Sequence, residues 1–560
     1  MYRYFAYAIC LLIGLICIFS LFRTQEAAAN HNKLRRSEGS LAGLASLTDK
    51  FYIPILLLLF AVFLFSRLAL LDIVPAGIHM DELGMAYDAK CLALYGTDRH
   101  GIRYPFYLQA YGGGQSALYA YLASVCIRIF GYSVNVIRYP AVICAIPCFF
   151  ASYFLVKELF DSRRWALLGP IMVTITPYFM MSERWALDCN LFLSFVTVAV
   201  YFYYKAIKSE KIRYFMIAGF VFGITLYTYV ISYLVLPLFL VFSTLYLIYI
   251  KKFDFRKTIA LAVPFASLGL PLLLMQLINM GICPEFSFLF SDFRKLSWYR
   301  GGEFSVSNIV KNLPYTGVLL FGGEWLTYNS FYEYGPLYLF SVPLLIYGIA
   351  VSLKDTWRSF KKRQFDGSVF LIFFTFLAWF IFMLIADLNM YKANEIFLPF
   401  ILFIIIGIKN IGERMQPAVP VILACFAAAF FSFSNFYFRY QNVEYGMHPL
   451  FISTELGDLI TYEESLYNSD GKTVYIERAY EHQTASDLIV GLYGNVEPKD
   501  WMQDGITQGH FEQRLPEDID PDEDAVYIIG HNWDFIISYM ISEWGFQADN
   551  TYPSYTILYK

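Results

Sequence analysis

Charged residues are scarce in this 560-residue chain, and their scarcity excludes a soluble globular protein. Asp, Glu, Lys and Arg make up 16% of the sequence, whereas soluble proteins carry about 25%. Hydrophobic residues make up 58%, and the mean hydropathy is +0.49. Many apolar runs reach the length of roughly 20 residues that a helix needs to cross a bilayer. The sequence therefore predicts a polytopic α-helical membrane protein.

Two further features that the sequence lacks, polar–apolar alternation and a cysteine framework, narrow the class of membrane protein. The apolar runs lack the alternation of polar and apolar residues that a transmembrane β-barrel requires, so a barrel is excluded. The positions of the nine cysteines do not indicate a disulfide framework, because six of them lie in predicted apolar helices and none follows Cys425. No Cys-x-x-Cys metal site is expected outside the membrane.

The apolar runs predict twelve spans with approximate boundaries. These lie near 4–22, 53–71, 134–156, 165–181, 189–207, 214–231, 233–250, 258–280, 336–353, 368–386, 396–412 and 417–436. The stretch 115–130 is shorter and contains Arg128, so we expect a helix that lies on the membrane. The first run could instead be a signal peptide, but cleavage near Ala29 would leave basic residues outside, so we favour an uncleaved span.

Lys and Arg predict the orientation. The six basic linkers all fall on one side of the twelve-span map, which is then cytoplasmic; they are 23–50, 157–164, 205–213, 251–257, 354–363 and 409–414. Residues 440–560 contain 22 Asp and Glu against 5 Lys and Arg, whereas the rest of the chain contains 24 against 37. This acidic segment is predicted to be extracytoplasmic, and its charge argues against a nucleic-acid partner.

We therefore expect three parts. Residues 1–50 form an extra span with a basic linker, 51–438 a transmembrane domain, and 439–560 a small acidic α/β domain. In the last part, 473–477, 525–529 and 555–559 are predicted strands, and 451–468, 484–493 and 533–543 are predicted helices. This domain has no nucleophile motif or metal spacing, and we interpret it as a cap over the membrane site.

The first outer loop, 72–133, carries the main candidate site. Asp81 and Glu82 follow the span 53–71 by about ten residues, where carboxylates are expensive to desolvate and are usually functional. A carboxylate there can accept a proton, hold a metal or bind a sugar. His79, Tyr87 and Gln115 are candidate sugar contacts in the same loop, which also contains the glycine run 112–114. The alternative is a surface loop rich in interfacial aromatic residues.

Three other outer loops are candidates. The loop 182–190 is short and polar, although its residues could simply cap helices or anchor the interface. The loop 387–395 contains a lysine suited to a lipid phosphate, with snorkelling as the alternative. The loop 281–335 is long enough to form a lid or a donor-binding loop. The candidate residues in the two shorter loops are Arg184, Trp185, Asp188, Asn190, Asn389, Lys392 and Asn394.

These residues resemble those of the C-type membrane glycosyltransferases that use polyprenyl-phosphate sugars, whose relatives include the protein O-mannosyltransferases and the bacterial aminoarabinose transferase of lipid A. The resemblance is carried by the residue runs 81–88 and 112–121, by Arg-Trp, Leu-Asp and Asn in the second loop, and by Asn, Lys and Asn in the third. Lys392 stands where the family has Arg and lacks the bidentate fork. No Glu occurs in 83–133, so the metal site of the aminoarabinose transferase does not carry over.

The resemblance implies a reaction. A polyprenyl-phosphate sugar would present its head group at the outer leaflet, and Asp81 would act as general base on the acceptor in one inverting displacement. Glu82 would orient the acceptor or a water, and Asp188 would position Arg184 or the sugar. Arg184 and Lys392, or a divalent metal ion held by Asp81 or Glu82, would stabilise the leaving phosphate. No cofactor is certain.

The implied partners are membrane lipids, the lipid-linked donor, and an envelope glycan, lipid or protein as acceptor. A transporter or flippase is the first rival. It would show ionisable groups at mid-membrane or paired broken helices, but the spans are nearly free of charge at their centres and no internal repeat is visible. The second rival is an inactive scaffold whose outer domain binds envelope polymers.

Overall fold

The computed structural model describes most of the membrane part and pieces of the C-terminal segment. The described residues are 2–22, 51–110, 113–296, 304–322, 329, 331–386, 388–445, 451–452, 457–461, 472–477, 489, 491–493, 507–508, 511–514, 519–552 and 555–560. The chain divides into two units. The first comprises Met1–Leu71, Arg138–Leu274 and Tyr299–Arg439, and the second comprises Asp72–Ile137, Met275–Trp298 and Tyr440–Lys560.

Helices dominate the chain. In order they are α1 (Tyr2–Phe22), α2 (Tyr52–Leu68), α3 (Met80–Leu94), α4 (Leu118–Phe130), α5 (Val134–Phe160), α6 (Arg163–Ala166), α7 (Leu168–Ile175), α8 (Pro177–Ser182), α9 (Leu191–Ser209), α10 (Ile212–Thr225), α11 (Ser232–Tyr249), α12 (Phe255–Asn279), α13 (Asn308–Asn312), α14 (Tyr315–Phe321), α15 (Val342–Lys362), α16 (Gly367–Leu384), α17 (Asn394–Arg414), α18 (Ala418–Tyr445) and α19 (Asp534–Ser542). Short 3-10 helices cover Asp188–Asn190, Leu339–Ser341, Met390–Ala393 and His531–Trp533.

Eight helical segments of the described chain are long and apolar enough to cross a membrane. They are Val134–Phe160, Asp188–Ser209, Ser232–Tyr249, Phe255–Asn279, Leu339–Lys362, Gly367–Leu384, Met390–Arg414 and Ala418–Arg439. Three shorter apolar helices, Phe5–Ser20, Tyr52–Leu68 and Ile212–Thr225, coincide with three more of the predicted spans. The prediction of a polytopic helical membrane protein is confirmed.

The predicted span 165–181 is the exception, because the structure divides it into α6, α7 and α8. Thr176 has extended backbone (φ −71°, ψ 127°), and Pro177 begins the next helix. Proline lacks the N–H that would continue the helical hydrogen bonds, and it disfavours helical geometry in the residue before it. The break brings residues 182–190 to the end of a short helix.

Helix α17 lies at the centre of the first unit, since 89% of its apolar stretch is buried within the protein. It packs closely against α15, because Gly348 of α15 meets the backbone of α17. A Cβ at this position would lie 1.9 Å from the carbonyl oxygen of Phe403. Small residues allow this backbone approach between membrane helices. The packing fixes the middle of α17, the helix that begins at Asn394.

The second unit contains a six-stranded sheet. The strands, in chain order along the whole protein, are β1 (Ile78–His79), β2 (Tyr107–Ala110), β3 (Gly113–Ser116), β4 (Phe286–Phe288), β5 (Ser291–Phe293), β6 (Phe451–Ile452), β7 (Thr473–Glu477), β8 (Thr507–Gln508), β9 (Phe511–Arg514), β10 (Ala525–Gly530), β11 (Gln547–Asp549) and β12 (Tyr555–Tyr559). The sheet order is β11-β12-β10-β7-β9-β8, with β7 parallel to both β9 and β10. The three predicted strands are β7, β10 and β12, and the predicted helix 533–543 is α19.

The C-terminal sheet has its own apolar core. Tyr475, Tyr527 and Leu558 from three neighbouring strands pack with Met540 of α19 and with Phe546. The predicted helix 451–468 is wrong at its start, where residues 451–452 form β6 and pair with β1. Residues 457–461 are helical, as are 489 and 491–493 within the predicted helix 484–493. The rest of these two predictions lies outside the described residues.

Candidate active site

Helix α3 begins at the predicted acidic pair. Its N-cap, His79, has extended backbone, and the His79 Nδ1 accepts a hydrogen bond from the backbone N–H of Asp81 at 3.1 Å. Glu82 Oε2 in turn accepts from the backbone N–H of His79 at 3.4 Å. This reciprocal arrangement is a capping box, which satisfies N–H groups that the first helical turn leaves without partners.

The two carboxylates have different surroundings. Glu82 is buried and engaged in the capping box. The Asp81 side chain is 39% exposed, and its Oδ2 lies 3.7 Å from His79 Nδ1. Neighbouring residues of a helix point about 100° apart, so one can face inward while the other faces outward. Asp81 is therefore the more exposed of the two carboxylates, and it lies at the N-terminus of α3, where the helix dipole favours negative charge.

Gln115 lies on β3, opposite Leu108 of β2. Its Oε1 is buried and has no hydrogen-bond partner in the described part of the chain, which leaves an acceptor for a ligand hydroxyl. Glycine at 114 is required by close packing, since a Cβ there would lie 1.9 Å from the ring of Tyr107. Tyr111 and Gly112 are not among the described residues. Tyr87 is buried on α3.

A buried polar cluster supports the loop after α3. Asp98 Oδ1 accepts hydrogen bonds from the backbone N–H groups of His100 and Ile102, both at 2.9 Å. Asp88 accepts from the backbone N–H of Arg99 at 3.0 Å. Burial, together with the nearby charge of Asp88, raises the pKa of Asp98 to about 7. The cluster ties this loop to α3 and contains a carboxyl group that titrates near neutral pH.

In the second loop, Arg184 is buried and contacts the end of α2. It donates hydrogen bonds of 2.7 Å to the carbonyl oxygens of Ser66 and Ala69. Ser66 is in the last turn of α2 and Ala69 is its C-cap, so their carbonyls lie where the helix ends and intrahelical partners are missing. The guanidinium also lies over the ring of Phe438, 5.0 Å from its centroid. These contacts describe a structural role, and binding of a donor phosphate by Arg184 stays a prediction.

An ion pair precedes this arginine. Arg67 of α2 and Glu183 are both buried, and their Nη2 and Oε2 atoms lie 2.8 Å apart. Arg67 also donates to the carbonyl oxygens of Val173 and Thr174, both in α7. The pair therefore fixes the second loop to α2 and α7, because removing one partner would leave a buried charge uncompensated.

Trp185 and Asn190 meet a residue that the sequence did not single out. The indole N–H of Trp185 donates to Asn329 Oδ1 at 2.8 Å, and Asn329 Nδ2 donates to Asn190 Oδ1 at 2.8 Å. Asn190 Nδ2 closes the triangle by donating to the carbonyl oxygen of Trp185 at 3.3 Å. Asn329 belongs to the long loop 281–335, where no motif distinguishes it from its polar neighbours.

The structure brings the second and third loops together. Asn394 Nδ2 donates to the carbonyl oxygen of Cys189 at 2.8 Å, and Asn394 Oδ1 accepts from the hydroxyl of Tyr178. Asp188 is partly exposed, and its Oδ1 accepts from the backbone N–H of Cys189 at 2.7 Å. Asn394 is thus a connecting residue, whereas Asp188 is partly exposed.

The third loop positions a lysine and a buried acid. Asn389 caps the 3-10 helix Met390–Ala393 by accepting from the backbone N–H of Lys392. Lys392 is half-buried, and its Nζ donates to the carbonyl oxygen of Ala386 at 3.2 Å. Glu395 is 1% exposed, and its Oε1 has no hydrogen-bond partner among the residues described. The sequence prediction missed Glu395, although a carboxylate at the end of a span is a signal for function.

A resident metal does not fit these residues. Within the described ranges, no three His, Cys, Asp or Glu side chains come together to hold a metal ion. Glu82 is committed to the capping box, and Asp81 has His79 as its near neighbour. A metal bound through Asp81 or Glu82 would need ligands from the substrate or from the undescribed part of the chain.

The chain is similar to known glycosyltransferases. Residues 115–278 match the family model described as "Dolichyl-phosphate-mannose-protein mannosyltransferase". Among solved structures, ArnT from Cupriavidus metallidurans bound to undecaprenyl phosphate matches with a TM-score of 0.57 and 11% identity, over 90% of this chain and 97% of that chain. The apo form of ArnT matches with a TM-score of 0.53 and 12% identity, over 91% and 98%. A comparison with curated protein sequences finds no match.

At such low identity the ArnT structures establish a shared fold, and the family match is an independent finding from sequence. Both agree with the resemblance found in the outer loops, which is thereby confirmed. The chain is a multi-pass membrane protein that shares the fold of ArnT and matches the dolichyl-phosphate-mannose-protein mannosyltransferase family model over residues 115–278.

Proposed function

We propose that this protein transfers a sugar from a polyprenyl-phosphate donor to an acceptor hydroxyl or amine at the extracytoplasmic face of the cell membrane. The observation that carries the proposal is Asp81, a partly exposed carboxylate at the first turn of α3 in a chain with the glycosyltransferase fold. The undecaprenyl phosphate in the similar ArnT structure supports a donor of this lipid class. The basic linkers on the opposite side of the spans support the extracytoplasmic placement.

Asp81 acts as general base in a single displacement. Its carboxylate takes the proton from the acceptor O–H or N–H as the acceptor atom bonds to the anomeric carbon of the sugar. The bond between that carbon and the phosphate oxygen breaks, and polyprenyl phosphate leaves with one more negative charge. The sugar is transferred with inversion. A positioned base contributes roughly 10²–10⁴-fold to such a step.

Glu82 and His79 hold Asp81 in place. Glu82 accepts a hydrogen bond from the backbone of His79, and His79 accepts one from the backbone of Asp81. This fixes the first turn of α3 before the acceptor arrives, so little reorganisation is needed in the reaction. Glu82 therefore supports the base, in place of the direct contact with the acceptor that the sequence suggested.

The leaving phosphate needs positive charge, and Lys392 is the candidate. It is half-buried, and its Nζ donates to the carbonyl oxygen of Ala386. An ammonium group is a donor that can bind phosphate oxygens. Stabilisation of a developing charge by a positioned donor is usually a large term in catalysis.

Three polar side chains are candidates for the sugar. Gln115 and Glu395 each have a buried oxygen without a described partner, and Asp188 is partly exposed. Acceptor oxygens of this kind bind sugar hydroxyl groups. They would contribute specificity, because a buried oxygen left without a partner costs about 1–3 kcal/mol. Which sugar fits is decided by measurement with a panel of donors.

The test is transfer by the purified protein in liposomes. Polyprenyl-phosphate hexoses and pentoses would be offered with hydroxyl-bearing envelope glycans, lipids and peptides, and released polyprenyl phosphate would be counted together with the sugar-bearing product. We expect release coupled to product formation with at least one donor, and a product of inverted anomeric configuration. Movement of an intact lipid-linked sugar across the bilayer without release would instead establish a flippase. Retained configuration would refute the single displacement.

A further inference from the structure

We propose that the C-terminal segment of the chain positions Asp81, because it holds helix α3 at both of its ends. The inference rests on the proposed function, in which Asp81 is the general base. It assigns the C-terminal segment a role in the chemical step, where the sequence indicated only a cap. All contacts that carry it lie within the second unit.

The first contact between the C-terminal segment and α3 lies next to the acidic pair. Strand β6 pairs antiparallel with β1, placing Ile452 opposite Ile78 and Phe451 opposite His79. His79 is also the N-cap of α3, and its side chain accepts from the backbone N–H of Asp81. The backbone of a strand more than 370 positions away along the chain thus fixes the residue that starts the catalytic helix.

The second contact between the C-terminal segment and α3 is made by Lys90. Its Nζ donates to the carbonyl oxygens of Gly491 and Leu492 at 3.0 and 2.9 Å. The same ammonium lies over the ring of Tyr132, 5.0 Å from the centroid, and this ring packs on Tyr493 at 5.7 Å. Hydrogen bonds from a charged donor are stronger than those between neutral groups. Residues 491 and 492 are therefore fixed to α3 by two charged hydrogen bonds, and the ring of Tyr132, which follows α4, contacts both Lys90 and Tyr493.

The helix and the C-terminal segment also fit sterically. Gly491 lies against Tyr87 of α3, where a Cβ would come within 2.5 Å of the tyrosine ring. Only glycine allows this approach, so the backbone of residue 491 can come close enough for Lys90 to reach its carbonyl.

The two contacts fix opposite ends of the same short helix, α3. Lys90 is nine residues after Asp81, about 14 Å along the axis. A 15-residue helix is marginally stable by itself in water, so tertiary contacts decide where it sits. A shift of about 1 Å in a reacting group costs on the order of 10²-fold in rate. Loosening either end should therefore lower the rate of transfer more than it weakens binding of the donor.

The test uses the full-length protein with three substitutions at lysine. Lys90→Met removes the ammonium and keeps the aliphatic chain, and Lys90→Arg keeps a donor that reaches both carbonyls. Lys472→Met is the matched control, since Lys472 directly precedes β7 of the C-terminal sheet and pairs with Asp524. Gly491→Val is a second, independent perturbation. Hydrogen–deuterium exchange of peptides covering 78–94 is measured together with kcat and the KM for the donor.

We expect faster exchange in 78–94 for Lys90→Met and for Gly491→Val, with kcat lower by about tenfold or more and the donor KM within about twofold of wild type. Lys90→Arg should restore both quantities, and Lys472→Met should change neither. Unchanged exchange in both perturbing variants would overturn the inference. So would a Lys90→Arg variant as impaired as Lys90→Met. If the wild type transfers no sugar, the proposed function fails, while the exchange data still decide whether the C-terminal segment holds α3.

Discussion

Arg184 provides a sharp test of the interpretation, because its position allows two roles. The resemblance to other glycosyltransferases implies that it binds the donor phosphate. The contacts imply that it holds the end of α2, where it donates to the carbonyl oxygens of Ser66 and Ala69 at 2.7 Å each. We expect the substitution Arg184→Met, which removes the guanidinium and keeps an apolar chain, to destabilise the fold.

The magnitude follows from the two hydrogen bonds. A hydrogen bond to a charged group contributes about 1.5–3 kcal/mol, so the loss of two amounts to about 3–6 kcal/mol. The stacking on Phe438, at 5.0 Å, adds about 0.5–2 kcal/mol. A loss of this size is a large part of the stability of an ordinary domain, which is about 5–15 kcal/mol. The folded yield of Arg184→Met should fall, and its apparent melting temperature should drop clearly.

The assay measures thermal stability in detergent by size-exclusion chromatography after heating, and then the donor KM of the fraction that remains folded. Arg184→Lys should lie between wild type and Arg184→Met, because an ammonium can reach one of the carbonyls but lacks the fork. Arg213→Met, at an exposed arginine, is the control and should change nothing. The reasoning is refuted if Arg184→Met melts like wild type and raises the donor KM tenfold or more.

Three further predictions concern other parts of the candidate site. Lys392→Ala should lower initial transfer rates on the order of 10²-fold while Lys392→Arg stays active, and equal rates for Lys392→Ala and wild type would remove this lysine from the phosphate site. Asn329→Ala should lower the apparent melting temperature, since it removes the hydrogen bonds of Asn329 to the buried indole N–H of Trp185 and to Asn190 Oδ1, at about 1–3 kcal/mol each; an unchanged temperature would contradict the hydrogen-bonded triangle. Burial raises the pKa of Asp98 from its usual value near 3.8 to about 7, so the folded protein binds a proton more tightly than the unfolded chain does. The contribution of Asp98 to the stability of the folded state is therefore fully present below about pH 4 and is lost as the pH rises through about 7. Asp98→Asn should abolish this pH dependence, which hydrogen exchange of its loop between pH 5 and 8 would detect relative to wild type; a variant that keeps the wild-type dependence would assign the titration to another group.

Much of the fold could be predicted from the sequence because the signal is local. A run of about 20 apolar residues has few alternatives to a membrane helix, and most predicted spans appear. The failure at 165–181 was also readable, since Pro177 interrupts the run. The proline signal is local, and it is obscured by the apolarity of the residues on both sides.

The candidate site was less predictable, because its geometry depends on long-range contacts. The acidic pair could be recognised in the sequence, but the side chain facing outward is decided by the capping box and by burial around Glu82. Arg184 was recognisable as polar and near the membrane, whereas its partners belong to a helix more than 100 residues earlier. The hydrogen bonds of Asn329 and the pairing of strand β6 with β1 are not predicted by any local sequence pattern.

The role of Asp81 as general base is tested by comparing Asp81→Asn with wild type in the liposome transfer assay. Asp72→Asn is the matched control, because Asp72 is an exposed carboxylate before the same helix. The two variants should bind the donor as wild type does and show normal hydrogen exchange. We predict that Asp81→Asn loses roughly 10²–10⁴-fold in kcat and that Asp72→Asn loses nothing. Full transfer by a correctly folded Asp81→Asn protein would show that Asp81 is not the general base.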